Sequence, residues 1–257
     1  MLAKRLIACL DVRDGQVVKG VHFAGLRGAG DPAALAGRYR SAGIDELVML
    51  DITATVDARA ARAATIRDVS RVLDIPLTVG GGMRSLADAE TAFGAGADKV
   101  SINTAALLEP GLISAIASRF GSQAVVIAID TRREGGEYRV FGRSATARDR
   151  RDPVGWAREA ADRGAGEILL TSIDRDGTKL GYDCNITAAV AAAVGIPVIA
   201  SGGAGSADHV AEVLTTGGAD AALAASIFHF NDSSVAAVKR HLAARGIAVR
   251  PVPEHAC

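Results

Sequence analysis

The stretch "IPLTVGGG" at residues 75–82 returns as "IPVIASGG" at residues 196–203, an offset of 121. Both read as a short apolar strand that opens with proline and closes in glycines, where the backbone can turn sharply. The same offset of 121 links Glu46 of "ELVMLD" to Glu167 of "EILLTS", and "GADKVSINTA" from Gly96 matches "GADAALAASI" from Gly218 at 122. The chain therefore reads as two similar halves, about 1–122 and 123–257, within one domain spanning 1–257.

Each half divides into strand–helix units. Apolar runs of strand length lie near 5–11, 46–51, 76–80, 98–102, 124–130, 166–171, 196–200 and 220–224. Helical patterns follow near 32–42, 58–73, 86–95, 109–119, 153–163, 185–194, 207–216 and 232–245. Asp31-Pro32 and Asp152-Pro153 put a capping carboxylate before a first-turn proline, and Ser85 and Ser206 supply capping hydroxyls. Gly43, Gly94, Gly164 and Gly217 stand where helix ends take a left-handed residue. A doubly wound open sheet would accept this alternation, but the two-fold repeat of eight units favours an α/β fold of the (β/α)8 TIM-barrel type.

Composition narrows the function. Hydrophobic residues are 49% and charged residues 23%, enough for a large core. The 29 basic and 29 acidic residues cancel, so no net field gathers nucleic acid or an anionic membrane, and an anionic ligand must be held locally. Cys9, Cys184 and Cys257 are odd in number and far apart, and the five histidines are scattered. Neither set has metal or disulfide spacing, so no metal and no cofactor are expected, and the reducing cytoplasm is the expected compartment. The N-terminal "MLAKRLIACLD" is too short in apolar residues for a signal-peptide core. Pro197 and the glycines at 195, 202, 203 and 205 break the uncharged run 184–207 that has the length of a membrane span.

Two strands end in a carboxylate. "IACLD" closes at Asp11 and "VIAID" at Asp130, at matched places in the two halves. An aspartate at a strand end suits a turn facing water. A matched pair on the first and fifth strands of a barrel would instead face each other across the catalytic mouth as general acid and general base. "VGGGMRS" and "SGGAGS" follow the third and seventh strands and lead into helices, while "INTA" and "AASI" follow the fourth and eighth. Together they suit two phosphate cradles at opposite edges of one mouth, and tight loop packing is the competing explanation. "TSIDRDGTKLGYD" at 171–183 is polar enough for Asp174, Asp176, Thr178 and Lys179 to touch a ligand or to cap the next helix. The glycine-rich stretch 14–31 with Lys19 suits a mobile lid or a solvated loop. Cys9 shares the face of Asp11 as a pocket residue or a small buried hydrophobe. Arg5, Glu46, Lys99 and Glu167 lie at strand starts, where a charged ring would in most barrels serve stability.

"MLAKRLIACLDVRDGQVVKG", "DELVMLDITAT", "VGGGMRS", "ADKVSINTAA", "GAGEILLTSIDRDGTKLGYD" and "ADAALAASIFH" occur in that order over nearly the whole chain. In these segments the chain resembles the cyclase subunits of imidazole glycerol phosphate synthase, and "LLTSIDRDGT" is the most specific of them. The resemblance implies a lyase of histidine biosynthesis. Ammonia from a glutaminase partner in a heterodimer would add to the ribulosyl arm of a bisphosphorylated aminoimidazole carboxamide ribonucleotide. Chain cleavage and ring closure would then give imidazole glycerol phosphate and aminoimidazole carboxamide ribonucleotide. It implies Asp11 and Asp130 as the catalytic pair. Gly82, Asn103 and Thr104 would hold one phosphate, and Asp176, Gly177, Gly203, Ala225 and Ser226 the other, with Lys19 assisting closure. It turns Arg5, Glu46, Lys99 and Glu167 into an ammonia gate at the barrel bottom and makes Asp98 a partner contact. Two stretches depart from the family pattern. Arg150 and Arg151 stand where Thr-Gly would fall, and Gly28 replaces a frequent acidic residue in the lid. The sister isomerase of the same pathway and a binding-only barrel are the rival readings. The opening motif, the charged ring and the intact aspartates argue against them.

Overall fold

Residues of the first strand alternate between two apolar layers. Leu6, Ala8 and Leu10 join the large layer beneath the helices, whereas Ile7 and Cys9 join a smaller cluster with Val48, Val126, Leu169 and Ile199. Side chains two apart share a face of a strand, so a sheet buried on both sides and closed on itself gives these two layers. The computed structural model describes residues 2–21, 24–52, 59–142, 146–225, 227 and 234–252, with side chains for all but 19–21, 24–27, 29 and 59–61.

The first half runs β1 (Arg5–Arg13), β2 (Gln16–Val21), β3 (Ala24–Gly30), α1 (Pro32–Ser41), β4 (Glu46–Asp51), α2 (Arg59–Ser70), β5 (Leu77–Gly80), α3 (Leu86–Gly94), β6 (Lys99–Ile102), α4 (Thr104–Leu108) and α5 (Gly111–Phe120). The second runs β7 (Val125–Glu134), β8 (Glu137–Gly142), β9 (Ala147–Arg148), α6 (Pro153–Asp162), β10 (Glu167–Ser172), α7 (Cys184–Ala191), β11 (Val198–Ser201), α8 (Ala207–Thr215), β12 (Ala221–Ala224) and α9 (Val235–Ala244). Parallel ladders join β1–β4–β5–β6–β7–β10–β11–β12, and β12 pairs back to β1, which closes an eight-stranded barrel with helices outside. The (β/α)8 expectation holds.

Sequence explains the joints. Asp31, Ser85, Asp152 and Ser206 each accept the backbone N–H three residues on, as expected; Asp183 and Ser234 do the same for α7 and α9. Asp152→Ala is expected to cost about 1 kcal/mol, read as a lower urea midpoint with an unchanged slope. Gly43 and Gly164 are left-handed, at φ 86° and 102°. At the other two ends the left-handed residues are Gly96 and Gly218 rather than Gly94 and Gly217, because Ala95 and Thr216 extend the right-handed turn.

A recurrent staple lies at the bottom of the barrel. Asp45, Asp98 and Asp220 each precede a strand, and their carboxylates accept the amides of Leu6 (2.8 Å), Leu77 (2.8 Å) and Val198 (3.1 Å) on the neighbouring strand. Before β10 the position is Gly166, where any Cβ would overlap the Ser122 carbonyl.

Three elements exceed the sequence reading. The stretch 14–31 contains the antiparallel hairpin β2–β3, with Asp11 opposite Val18. Strand β7 continues past Asp130 into β8, which also pairs with β9. The short helix α4 precedes α5. Among the described residues no helix is long and apolar enough to cross a membrane.

Candidate active site

Three barrel strands separate β1 from β7 in either direction, so Asp11 and Asp130 sit on opposite walls at the C-terminal mouth. Asp130 faces the mouth next to Thr171 of β10, its partner in register. The side-chain amide of Asn103 donates to its carboxylate at 2.9 Å and to the Phe141 carbonyl at 3.3 Å. Burial, followed by the negative charge of Asp176, pushes the Asp130 carboxyl up to about 7, against the opposing pull of the Asn103 bond. A carboxyl so placed is present in both protonation states near neutrality, which suits proton transfer. Cys9, one turn of the pleat below, places its thiol 3.9 Å from Asp11 Oδ1, a weak contact. The Oδ1 of Asn103 is buried with no hydrogen-bond partner among the described residues, so it is an acceptor available to a ligand.

The glycine clusters have a structural requirement of their own. A Cβ at Gly81 would overlap the Asp51 carbonyl, and one at Gly203 the Gly181 carbonyl. Gly82 and Gly202 are left-handed at φ 59° and 91°. One cluster is thus pressed against the end of β4 and the other against the 173–183 loop, and each enters a helix capped by serine, at corresponding places in the two halves. Gly177 turns the 173–183 loop at φ 72°. The Asp176 amide donates to the Ser172 carbonyl at 3.0 Å, placing Asp176 beside the base of that loop. Asp174 accepts the Arg133 amide at 2.8 Å, tying the loop to β7. Thr104 opens α4 beside Gly142, and Ala225 packs against the barrel interior. Ser226 lies outside the described residues. Lys19 pairs with Arg27 through the β2–β3 backbone, and its side chain lies outside them.

At the other end of the barrel the four charges meet. Glu46 accepts from Arg5 (2.8 Å), Lys99 (2.7 Å) and Thr78 (3.0 Å). Glu167 accepts from Lys99 (2.9 Å) and from Arg5. The result is a closed ring of alternating sign that plugs the barrel floor. Asp98 is exposed beside it, with one oxygen spent on the Leu77 amide.

The sequence reading missed Arg62. Its Nε donates to Asp51 at 2.6 Å, and its guanidinium lies over Gly82. An aspartate closing a strand with an arginine in the first turns of the next helix was the available signal. Arg151 is one of the two arginines that depart from the family pattern. It donates to the Leu107 carbonyl at 3.1 Å and stacks on Trp156, with 4.8 Å from its Cζ to the ring centroid, so the divergent loop is fastened to α4.

A family model described as histidine biosynthesis protein matches residues 5–234. A protein of Acidobacterium capsulatum named imidazole glycerol phosphate synthase subunit HisF is 57% identical over 250 residues, covering 97% of this chain and 99% of its own. Proteins of the same name from Saccharolobus solfataricus and Metallosphaera sedula are each 53% identical over 250 residues, covering 97% of this chain and 100% of theirs. The chain belongs to the histidine biosynthesis protein family and, within it, to the imidazole glycerol phosphate synthase subunits HisF.

Proposed function

We propose that the chain is the ammonia-dependent cyclase of this synthase, with Asp11 and Asp130 as its acid–base pair. The observation that carries the reading is Asp130, opposite Asp11 across the mouth and held neutral or ionised in comparable amounts near pH 7. Ammonia adds to the ribulosyl ketone carbon, and the ketone oxygen leaves as water after accepting protons. The new nitrogen then attacks the formimino carbon. The aminoimidazole carboxamide ribonucleotide departs with its amine, and loss of one proton from the ribulosyl C1 methylene, taken up by a carboxylate at the mouth, leaves the closed ring as an aromatic imidazole. A neutral Asp130 has the proton for the ketone oxygen, and carboxylates at the mouth accept protons from the added nitrogen.

Each half, 1–122 and 123–257, contributes one aspartate and one phosphate cradle. Gly82, Asn103 and Thr104 hold one phosphate, Asp176, Gly177, Gly203, Ala225 and Ser226 surround the other, and Lys19 on the β2–β3 hairpin assists closure. A glutaminase subunit docks at the barrel floor near Asp98 and delivers ammonia through the ring of Arg5, Glu46, Lys99 and Glu167. The place of that ring, across the barrel floor at the end opposite Asp11 and Asp130, supports this role.

The testing experiment incubates purified chain with the phosphoribulosyl-formimino substrate and an ammonium salt. Formation of both products supports the cyclase, whereas consumption of only the preceding pathway intermediate assigns the chain to the isomerase. The kcat/KM profile carries a further prediction. With Asp130 as the acid, activity falls tenfold per pH unit above a pKa near 7 after correction for the free ammonia fraction. A profile flat from pH 6 to 8.5 after that correction removes Asp130 from this role.

A further inference from the structure

Gly82, Asn103 and Thr104, proposed to hold one phosphate, are all neutral residues, although a phosphate monoester carries close to two negative charges at neutral pH. We propose that Arg62 is the cationic ligand of this phosphate; the inference rests on the cyclase reading above. Arg62 stands near the start of α2, and its Nε is bonded at 2.6 Å to Asp51 at the end of β4. Both side chains are largely buried, 12% and 5% exposed, so the planar group is fixed in rotation as well as in position.

The opposite edge of the fork faces the cradle. A methyl group at Gly82 would lie 2.5 Å from Arg62 Nη2, 3.3 Å from Cζ and 3.4 Å from Nη1. Glycine at 82 therefore does two things: it adopts a left-handed turn, and it leaves the space through which the guanidinium reaches the loop. The bond to Asp51 and the Nη1–Nη2 edge lie on different sides of the guanidinium. A phosphate at the loop thus meets the paired N–H donors, and Asp51 lies behind them. A fork anchored on one side and presented on the other is the geometry of two-pronged phosphate recognition. A purely structural ion pair between Arg62 and Asp51 would account for the anchored side but not for a guanidinium laid over the cradle glycine. Gly203, the repeat counterpart of Gly82, meets the Gly181 backbone and the Arg175 Cβ instead, so Arg62 serves one cradle only.

Each reaction product carries one phosphate, which supplies an internal control. Calorimetric titration of the two products into Arg62→Met is expected to show one weakened by about tenfold to a hundredfold, the loss expected for a charged hydrogen bond, and the other unchanged. Arg62→Lys, which keeps the charge without the fork, recovers part of the affinity. Arg62→Met leaves Asp51 buried without its arginine, so the double variant Asp51→Asn, Arg62→Met is titrated alongside it and is expected to show the same selective loss. Equal weakening of both products, no weakening of either, or selective loss in Arg84→Gln instead overturns the proposal. A wild-type chain that binds neither product overturns the cyclase reading, and the role of Arg62 with it.

Discussion

Asp130→Asn is expected to lower kcat by about a thousandfold or more while leaving the fold intact, within the range for loss of a positioned acid–base group. Asparagine keeps the size of the side chain and an oxygen able to accept from Asn103, which donates at 2.9 Å in the wild type. What it loses is the titrating proton. A second outcome separates this loss from damage to the fold. The folded pKa of Asp130 is raised to about 7 from an ordinary 3.8, chiefly by burial. Its contribution to stability is therefore full below pH 4 and is lost progressively as pH rises through 7, since the unfolded chain ionises first. At pH 8 asparagine removes a half-buried negative charge, so the variant is expected to be more stable than wild type by on the order of 1–3 kcal/mol, and at pH 4 nearly equal to it. Thermal unfolding at the two pH values, together with turnover in an ammonium salt, checks both. Unimpaired turnover, or a stability difference that does not change with pH, would contradict the assignment.

Glu46→Ala is expected to destabilise the chain by about 3–5 kcal/mol, the usual cost of leaving buried charges without their partner. Glu46 is among the most buried charged residues and holds Arg5, Lys99 and Thr78 at once. Burial works to lower the pKa of Arg5, and the two glutamates outweigh it and raise it, so the ring depends on both carboxylates. Without Glu46, two cations share Glu167 alone. Urea unfolding measures the loss. Because the ring lies at the opposite end from Asp11 and Asp130, turnover with added ammonium salt is expected to persist in the folded fraction. An unchanged urea midpoint would mean that water reaches the barrel floor and screens the ring.

The barrel was legible because its signals are local and repeated. The strands β4, β5 and β7 lie within a residue or two of their expected starts, since each is a short apolar run bounded by helix ends and glycines. The two strand-end aspartates were legible for the same reason: period two on a strand fixes the face, and repetition at 11 and 130 raised the pair above chance. The β2–β3 hairpin was not, because "AGLRGAG" has no β-branched residue and three glycines, and the pairing depends on the edge offered by the extended β1. Tertiary proximity hid the remaining details. Nothing in "INTA" indicates that Asn103 reaches across to Asp130 on the next strand, and nothing in "ARAARAAT" says which arginine meets Asp51. The glycines were legible as tight turns, but their immediate reason is contact with the backbone of a neighbouring strand end or loop, which no linear pattern displays.

The aspartates at 45, 98 and 220 act as index pins for the shear of the barrel. Closing eight strands demands one stagger, and each pin binds an amide on the adjacent strand, so a slip of one residue moves the carboxylate about 3.3 Å from its donor. The same slip would turn Glu46 or Lys99 from the interior to the helix side, because faces alternate at every step. Stagger and floor chemistry are thus encoded together, in the pairs Asp45-Glu46 and Asp98-Lys99. The pin is missing before β10, where Gly166 precedes Glu167 and close backbone packing against Ser122 takes over the alignment.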